Sequence, residues 1–590
     1  MEKRWIFKEQ FTDAEIENFS RQINNLHPIL TKLLLQRGIN TREKAVRFFK
    51  PQLSHLHDPF LMKDMDKAVL RLSEAIVKQE KILVYGDYDV DGTSSVALVY
   101  SFIRPHNKNI EYYIPDRYNE GYGLSEQGID YAHENNFKLI IALDCGIKAV
   151  EMVDRAKEYG IDVIICDHHR PGTELPRACA VLDPKREDCN YPFKELSACG
   201  VGFKLVQAYA QKFDIPIQEI TKYLDLVTIS IASDIVPIVG ENRVMAYFGL
   251  KIINTHPRPG IEATILQNIS LKKTDLSKIP HNSIFSKEIK ISDLVFTVGP
   301  RINAAGRMDT GRNSVKLLIS KSLKDTLQIG NTIKEYNEQR KEEDKKTFTE
   351  AMEQVEDSLK FKTKNSLVVY NPQWHKGVIG IVASRLVEKY YKPTIVLTGS
   401  DGMVTGSARS VKNFDIYDAI ESCKHLLEHF GGHKYAAGMS ILPENLDAFI
   451  EEFEKVVGNT IEEEMKTPEI EIDSELDFSD ASNPDFYDKL KLFEPFGPEN
   501  MSPIFYTNGL YDSGNARVLG SGDVTHLKMG IVHQKVATYP ISAIAFGLGH
   551  KINLVRNSQK FSICYHVEEN VWNERKTLQF NIKGIRDNTK

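Results

Sequence analysis

Three short apolar runs in this chain each end in acid. KILVY (81–85) leads into GDYDVDG and presents Asp87, Asp89 and Asp91; KLIIAL (138–143) ends at Asp144; DVIIC (162–166) ends at Asp167, followed by His168 and His169. Asp234, in TISIASDIVPI, is a fourth acidic candidate. A lone aspartate after a strand is usually a turn residue or a helix cap. Three clusters at the ends of successive apolar runs ask for more, because turn chemistry needs no such recurrence. Carboxylates together with imidazoles match the ligand preferences of Mn2+ and Mg2+ better than those of a thiolate-bound zinc. Two such ions sharing bridging carboxylates suit in-line attack on a phosphodiester.

For these side chains to meet, the runs must be strands of one sheet. From about residue 80 to 240, KILVY, IEYYI, KLIIAL and DVIIC alternate with helix-like segments, which predicts βαβ units around a largely parallel sheet. Ligands of such sheets bind beyond the carboxyl ends of the strands, where all three clusters fall. Residues 1–75 read as helical, with Thr12 capping TDAEIENFSRQI and Leu33, Leu34 and Leu35 in an apolar stretch. Between 320 and 360, NEQRKEEDKK is polar on every face, as in a solvent-bridged connecting helix; about 40 helical residues span roughly 60 Å. A second α/β lobe runs from SLVVY (366–370) to about 455, and acidic EEEMKTPEIEIDSELD marks the next boundary. HLKMGIV, ISAIAFGL, KFSICYHV and TLQFNIKGI then predict a small β-barrel.

Bulk properties narrow the function classes. A chain of 590 residues is too long for one core and implies about two to four domains. No stretch of 18 apolar residues occurs, so no membrane span is expected. MEKRWIFKEQFTDAEIENF lacks the apolar centre of a signal peptide. The seven cysteines form no CxxC pair; they argue against a zinc ribbon or a thioredoxin-type motif and for reduced thiols in a cytoplasmic protein. A net charge of −6 excludes a uniformly basic surface but leaves room for a local positive groove.

Several basic and glycine-rich segments could hold a phosphate. Arg117 lies in a loop, PDRYNEGYGLS, and can pair bidentately with a phosphate or serve as a surface turn residue. Arg301 and Arg307 sit among small residues in GPRINAAGRM, either as phosphate clamps or as ion-pair partners. GSARS supplies Ser407, Arg409 and Ser410, and GGHKYAAG supplies Gly431, Gly432 and His433; glycine-rich turns beside Ser and Arg can cradle an anion through backbone N–H groups. In WHKGVIGIVASRL, Val378, Ile381, Val382 and Leu386 follow helical spacing and should be core, and His375 either touches substrate or caps and packs. In the last segment, Arg517, His526, Lys528 and Phe546 could meet a single strand.

GDYDVDG, LDCGI, DHH and SDIVP, in this order, resemble the four motifs of the DHH phosphoesterases. Tyr85 stands where the pyrophosphatase branch has a histidine, as in the nuclease branch. LLLQRGI, HDPFLMKDMDKAV, PDRYNEGYGLS, LSACGVGFKL, GPRINAAGRM, WHKGVIGIVASRLVEKYYKP, GSARS, GGHKYAAG and EPFGPEN resemble the RecJ branch in particular. The resemblance implies an α/β fold: a parallel-sheet DHH domain, a second α/β lobe joined to it by a long helix, and a C-terminal OB-like β-barrel. The implied boundaries are 1–75 for an N-terminal helical segment, 76–319 for the DHH catalytic domain and 320–362 for the connecting helix. The DHH-associated domain follows at 363–465 and the OB-fold at 466–590. It implies Asp89, Asp91, Asp144, His168 and Asp234 as ligands of two divalent ions, Mn2+ or Mg2+. His169 then assists at the substrate phosphate, and Asp87 supports from behind. The activity implied is 5′→3′ hydrolysis of single-stranded DNA to 5′-mononucleotides in DNA repair and recombination. The implied protein partners are a single-strand-binding protein and a RecQ-type helicase, and a monomer is expected. A phosphodiesterase of nanoRNA or cyclic dinucleotides from the same superfamily and a non-catalytic strand-binding replication factor are the alternatives.

Overall fold

The computed structural model describes the chain from residue 2 to 587 apart from 269–283, 309, 358–360, 362, 401, 522–524, 534–535, 557–559 and 573–574. It divides into two compact units: Phe7–Lys334 with Ile472–Lys590, and Met1–Ile6 with Glu335–Glu471.

The centre of the larger unit is a five-stranded, wholly parallel sheet. Its strands lie in the order Ile110–Tyr113, Ile82–Gly86, Leu139–Leu143, Asp162–Cys166, Ala180–Leu182. All five residues of Ile82–Gly86 and of Leu139–Leu143 are buried, because helices cover both faces of a parallel sheet. Alternate residues feed different cores. Ile82, Val84, Leu139, Ile141 and Leu143 join one cluster, and Leu83, Tyr85, Ile140 and Ala142 join the cluster on the opposite face. The helix Val90–Ile103 leaves the first of these strands and is buried along most of its length.

A second core in this unit joins the two ends of the chain. Five strands, Phe505–Asp512, His526–His533, Val536–Ala545, Phe561–Trp572 and Arg575–Asp587, close into a barrel through the pairing of Phe505–Asp512 with both His526–His533 and Phe561–Trp572. Inward residues such as Phe505, Leu527, Ile531, Phe561, Tyr565 and Phe580 share one cluster with Phe19, Leu30, Leu33, Leu34 and Phe48 of the N-terminal helices. Thr12 caps Asp13–Gln22 in a capping box with Glu15, as its sequence predicts. The N-terminal segment is not wholly helical. Its first element is the strand Arg4–Phe7, which pairs with Glu469–Ile472, so a distant partner decides its structure.

In the smaller unit the sheet is mixed, in the order His429–His433, Ala436–Ile441, Met403–Arg409, Thr394–Ser400, Leu367–Tyr370. Only the last pair is parallel. The helix Leu446–Thr460 supplies Phe449, Phe453 and Val457 to one face. The helix Ile379–Tyr390 supplies Val382 and Leu386 to the other. Val378 is buried as expected and Ile381 half-buried. The polar helix expected over 320–362 is continuous from Leu323 to Asp357; residues 358–360 and 362 of the expected range lie outside the described residues. No described helix is long and apolar enough to cross a membrane, and all seven cysteines are free.

A buried ion pair ties the segment before the sheet to the helices Ala198–Lys212 and Gly240–Thr255. Lys204 Nζ lies 2.5 Å from Glu241 Oε1, with both side chains removed from water. Lys204 also donates to the carbonyl of His57 at 3.1 Å. Glu241 accepts from the His57 N–H at 2.9 Å and from the Tyr191 hydroxyl at 2.7 Å. Glu241→Gln strands the ammonium group and should cost about 3–5 kcal/mol in guanidinium unfolding. Lys204→Met combined with Glu241→Gln should recover most of that loss.

Candidate metal centre

Register decides where the acids fall. Gly86 pairs with Leu143, Leu143 with Cys166, and Cys166 with Leu182. Four neighbouring strands therefore end level, and the next residue of each is an aspartate: Asp87, Asp144, Asp167 and Asp183. Two further carboxylates come from the helix that follows. Asp89 is the N-cap of Val90–Ile103, its Oδ1 accepting from Gly92 N–H at 3.0 Å, and Asp91 lies in the first turn. Asp234 arrives differently, as the C-cap residue of the helix Leu224–Ser233.

These side chains form one contiguous set of donors. Ligand atoms of Asp87, Asp89 and Asp144 lie within 4.8 Å of one another, as do those of Asp144, His168 and His169, and those of Asp91, His168 and Asp234. Asp144 and His168 each belong to two of the three groups. His168 Nε2 is 3.3 Å from Asp144 Oδ1, 3.7 Å from Asp234 Oδ2 and 3.8 Å from Asp91 Oδ2. Its Nδ1 is 3.1 Å from the carbonyl of Leu196. A carbonyl can only accept, so Nδ1 carries the proton and Nε2 turns a lone pair toward carboxylate oxygens. Nε2 is buried and has no hydrogen-bond partner among the described residues. A lone pair facing anions at this range calls for a cation between them, and oxygen donors with one imidazole fit Mn2+ or Mg2+. Burial pushes the neighbouring Cys145 thiol far up.

The electrostatics separate the acids into two kinds. Burial, reinforced by the other carboxylates, drives Asp144 well above the usual carboxylate range and raises Asp89; Asp234 is driven the same way although its side chain is 31% exposed. Asp87 is also driven up by burial and by Asp89, and the Arg117 charge opposes that rise. Asp91 is compensated by neutral donors: the N–H groups of Ala198 and Cys199 at 2.9 and 2.8 Å and the Ser230 hydroxyl at 2.7 Å. The first two belong to the start of the helix Ala198–Lys212, whose positive end favours an anion. Asp167 is the opposite case. Burial alone would raise it, but hydrogen bonding to His169, the His169 charge and the Ile147 N–H bring it to about 2.

Asp167 acts as a scaffold that its sequence position only hints at. Its Oδ1 accepts from the N–H groups of His168 and His169 at 2.8 and 3.1 Å and lies 2.8 Å from His169 Nδ1. Burial would lower His169, but this bond raises it. Asp183 was missed altogether; burial pushes it up to about 7. The signal was present in AVLD, a short apolar run with a terminal acid. Tyr122 was missed as well; its hydroxyl donates to the Asp144 carbonyl at 2.8 Å.

The basic candidates of the larger unit gather beside the first acidic loop. Arg117 lies 4.9 Å from the Tyr88 ring. Arg301 and Arg307 are carried by the helix Gly299–Met308, which can approach closely because Gly306 has no side chain: a Cβ there would meet the Tyr88 carbonyl at 2.4 Å. Asn303 Oδ1 accepts from the Val90 N–H at 3.0 Å. Arg301 is bonded back to the Thr297 carbonyl, and the Arg307 carbonyl accepts from Tyr118.

The smaller unit brings its own candidates together on adjacent strands. Ser407 pairs with Gly438, Arg409 with Ala436, Gly432 with Ala437 and His433 with Ala436. Arg409 Nη1 donates to Ser407 Oγ at 3.0 Å, and Ser410 donates to the Phe414 carbonyl at 2.8 Å. Gly432 has φ 151, and a Cβ there would meet the Ala436 carbonyl at 2.4 Å. His375 Nδ1 accepts from the Gly377 N–H at 3.0 Å in the turn before the helix Ile379–Tyr390.

Comparison with known proteins agrees with this architecture. Residues 81–231 match the DHH family, N-terminal domain; residues 363–459 match the DHHA1 domain; residues 472–584 match the RecJ OB domain. The single-stranded-DNA-specific exonuclease RecJ of Bacillus subtilis (strain 168) is 34% identical over 584 residues, covering 98% of this chain and 70% of that protein. Its namesake in Escherichia coli (strain K12) is 30% identical over 599 residues, covering 98% and 99%. The crystal structure of RecJ in complex with Mn2+ from Thermus thermophilus superposes with a TM-score of 0.81 at 22% identity, covering 100% of this chain and 80% of that one, and shares its fold. The chain belongs to the RecJ family.

Proposed function

We propose that this chain is a metal-dependent exonuclease that hydrolyses single-stranded DNA from its 5′ end and releases 5′-mononucleotides, in DNA repair and recombination. The observation that carries the reading is the His168 Nε2 lone pair facing three carboxylates, Asp144 at a strand end and Asp91 and Asp234 at helix ends, in a chain of this family. Asp89, Asp91, Asp144, His168 and Asp234 would hold two divalent ions, Mn2+ or Mg2+. When bound, these ions would polarise the phosphate and lower the pKa of a coordinated water.

The remaining roles fall to the chain's own residues. Asp167 holds His169 in place and favours its charged form, which suits a cation or proton donor at the phosphate. Arg117, Arg301 and Arg307 offset phosphate charge. Ser407, Arg409, Ser410, Gly432 and His433 form an anion cradle on their own sheet. On the barrel, Arg517 and Lys528 are cross-strand partners at a cavity of about 170 Å³ lined also by Asn515, Met529, Pro540 and Ser542. Exposed Phe546 packs edge-on to His526 on the same barrel, and such aromatics can stack on bases. The reading places the enzyme in the cytoplasm, beside a helicase that exposes the strand and a protein that coats it.

A time course on labelled strands tests the reading. With Mn2+ or Mg2+, single strands should shorten from the 5′ end to mononucleotides; with chelator they should persist. Turnover confined to dinucleotides would favour the nanoRNA phosphodiesterase instead. Asp144→Asn should reduce turnover by more than about 100-fold, since even outer supports of a metal ligand cost 10–100-fold. The same change should raise the melting temperature of the metal-free protein, because it removes one buried like charge and Asn tolerates the φ of 63 at this position. Arg517→Glu with Lys528→Glu should weaken long-strand binding and flatten its salt dependence by about 0.7 per lost phosphate contact. Dinucleotide turnover should not change.

A further inference from the structure

LLLQRGI and EPFGPEN contribute nothing to the metal centre, yet they meet at one buried joint. Arg243, on the helix Gly240–Thr255, is 4% exposed. Each hydrogen bond recorded for its guanidinium goes to a backbone carbonyl: Phe48 at 3.2 and 3.3 Å, Phe493 at 3.0 Å, Glu494 at 2.9 Å and Pro495 at 3.2 Å. Asn500 donates to the carbonyls of Phe493 and Pro495 at 2.9 Å each and accepts from Arg37 Nε at 2.9 Å. Gly497 and Asn500 close a tight turn by reciprocal backbone bonds of 3.1 and 2.9 Å, with Pro498 and Glu499 at its tip.

This turn grips the segment that carries Asp234. The Ile238 N–H donates to the Pro498 carbonyl at 2.8 Å, and Ile238 is fully buried. A Cβ on Gly497 would lie 2.4 Å from Ile238 Cγ1, so the Gly497 backbone packs directly against the Ile238 side chain. Between Asp234 and Ile238 stands Ile235, with φ 58 and 63% exposure. A β-branched residue in the left-handed region is strained and keeps that conformation only where its surroundings impose it. On one side the helix Leu224–Ser233 imposes it, with Asp234 N–H bonded to the Ser230 carbonyl at 2.9 Å. On the other side stand the Ile238–Pro498 bond and the Asn242 amide, which donates to the Pro237 carbonyl at 3.0 Å.

We propose that the joint of Arg37, Arg243 and Asn500 around the turn Gly497–Asn500 is a positioning device for Asp234, so that the strap leading into the barrel sets the affinity of the metal centre. The inference rests on Asp234 being a ligand. Gly497 and Asn500 are positioning residues: they act on Asp234 only through Ile238 and the strained turn.

The experiment measures Mn2+ binding to the full chain without DNA, by electron paramagnetic resonance of the free ion, beside thermal unfolding and dinucleotide turnover. Gly497→Ala drives a methyl into Ile238 and should weaken Mn2+ binding about tenfold or more, the usual cost of losing an outer support. Adding Ile238→Ala makes room for that methyl and should restore affinity, an outcome that general destabilisation would not give. Asn500→Ala, which adds no atoms, should weaken binding in the same direction and serves if Gly497→Ala does not fold. Wild-type Mn2+ affinity in folded Gly497→Ala and Asn500→Ala, or no recovery in the double variant, would overturn the proposal. Asp234→Asn separates the two readings: unchanged Mn2+ binding there removes Asp234 from the ligands, whereas weakened binding there with no effect of Gly497→Ala removes only the joint.

Discussion

Repulsion between carboxylates held out of water is the constraint around which the larger unit is arranged. Level strand ends place Asp87, Asp144, Asp167 and Asp183 side by side, and a helix adds Asp89 and Asp91. The fold compensates some of these charges itself. Asp91 has two helix N–H groups and a hydroxyl, and Asp167 has His169 and three backbone donors. Asp144 and Asp234 are left at the focus with their charge opposed by every neighbouring acid. Asp167, satisfied by the protein, serves as scaffold; the acids left in mutual conflict, beside a pre-oriented Asp91, are the ones for a cation to satisfy.

The conflict is maintained by backbone geometry that an unconstrained chain would relax. Asp144 has φ 63, which an aspartate tolerates at modest cost, and its N–H is fixed to the Cys166 carbonyl at 3.0 Å. Ile235 carries the greater strain. Both sit next to or within the donor set, where preorganisation of ligands is worth more than local stability.

Much of this was legible in the chain because the physics is local. Apolar runs of similar length, each ending in acid, announce strands that finish together, and the sheet bears out that reading at Asp87, Asp144 and Asp167. Asp183 escaped notice because its strand, Ala180–Leu182, is only three residues long. Asp234 reads like the other strand-end acids but ends a helix, since Thr228–Ile231 alternates hydroxyl and apolar residues at the period of a strand. The closure of the barrel could be anticipated from its alternating strands; its core shared with Phe19, Leu30 and Phe48 could not, because nothing local marks a partner so far along the chain. The same holds for Arg243, whose carbonyl partners carry no side-chain signature.

That shared core has a consequence for how the protein is made. Roughly 430 residues separate Phe48 from Leu476, the next member of the cluster along the chain. At ordinary synthesis speeds of about 5–20 residues per second, the ribosome needs roughly 20–90 seconds to cover that distance. Through that interval the N-terminal helices emerge with their apolar faces bare, since the surface that buries them has not yet been translated. They are a natural client for holdase chaperones, and their docking marks the moment when the nascent chain closes on itself.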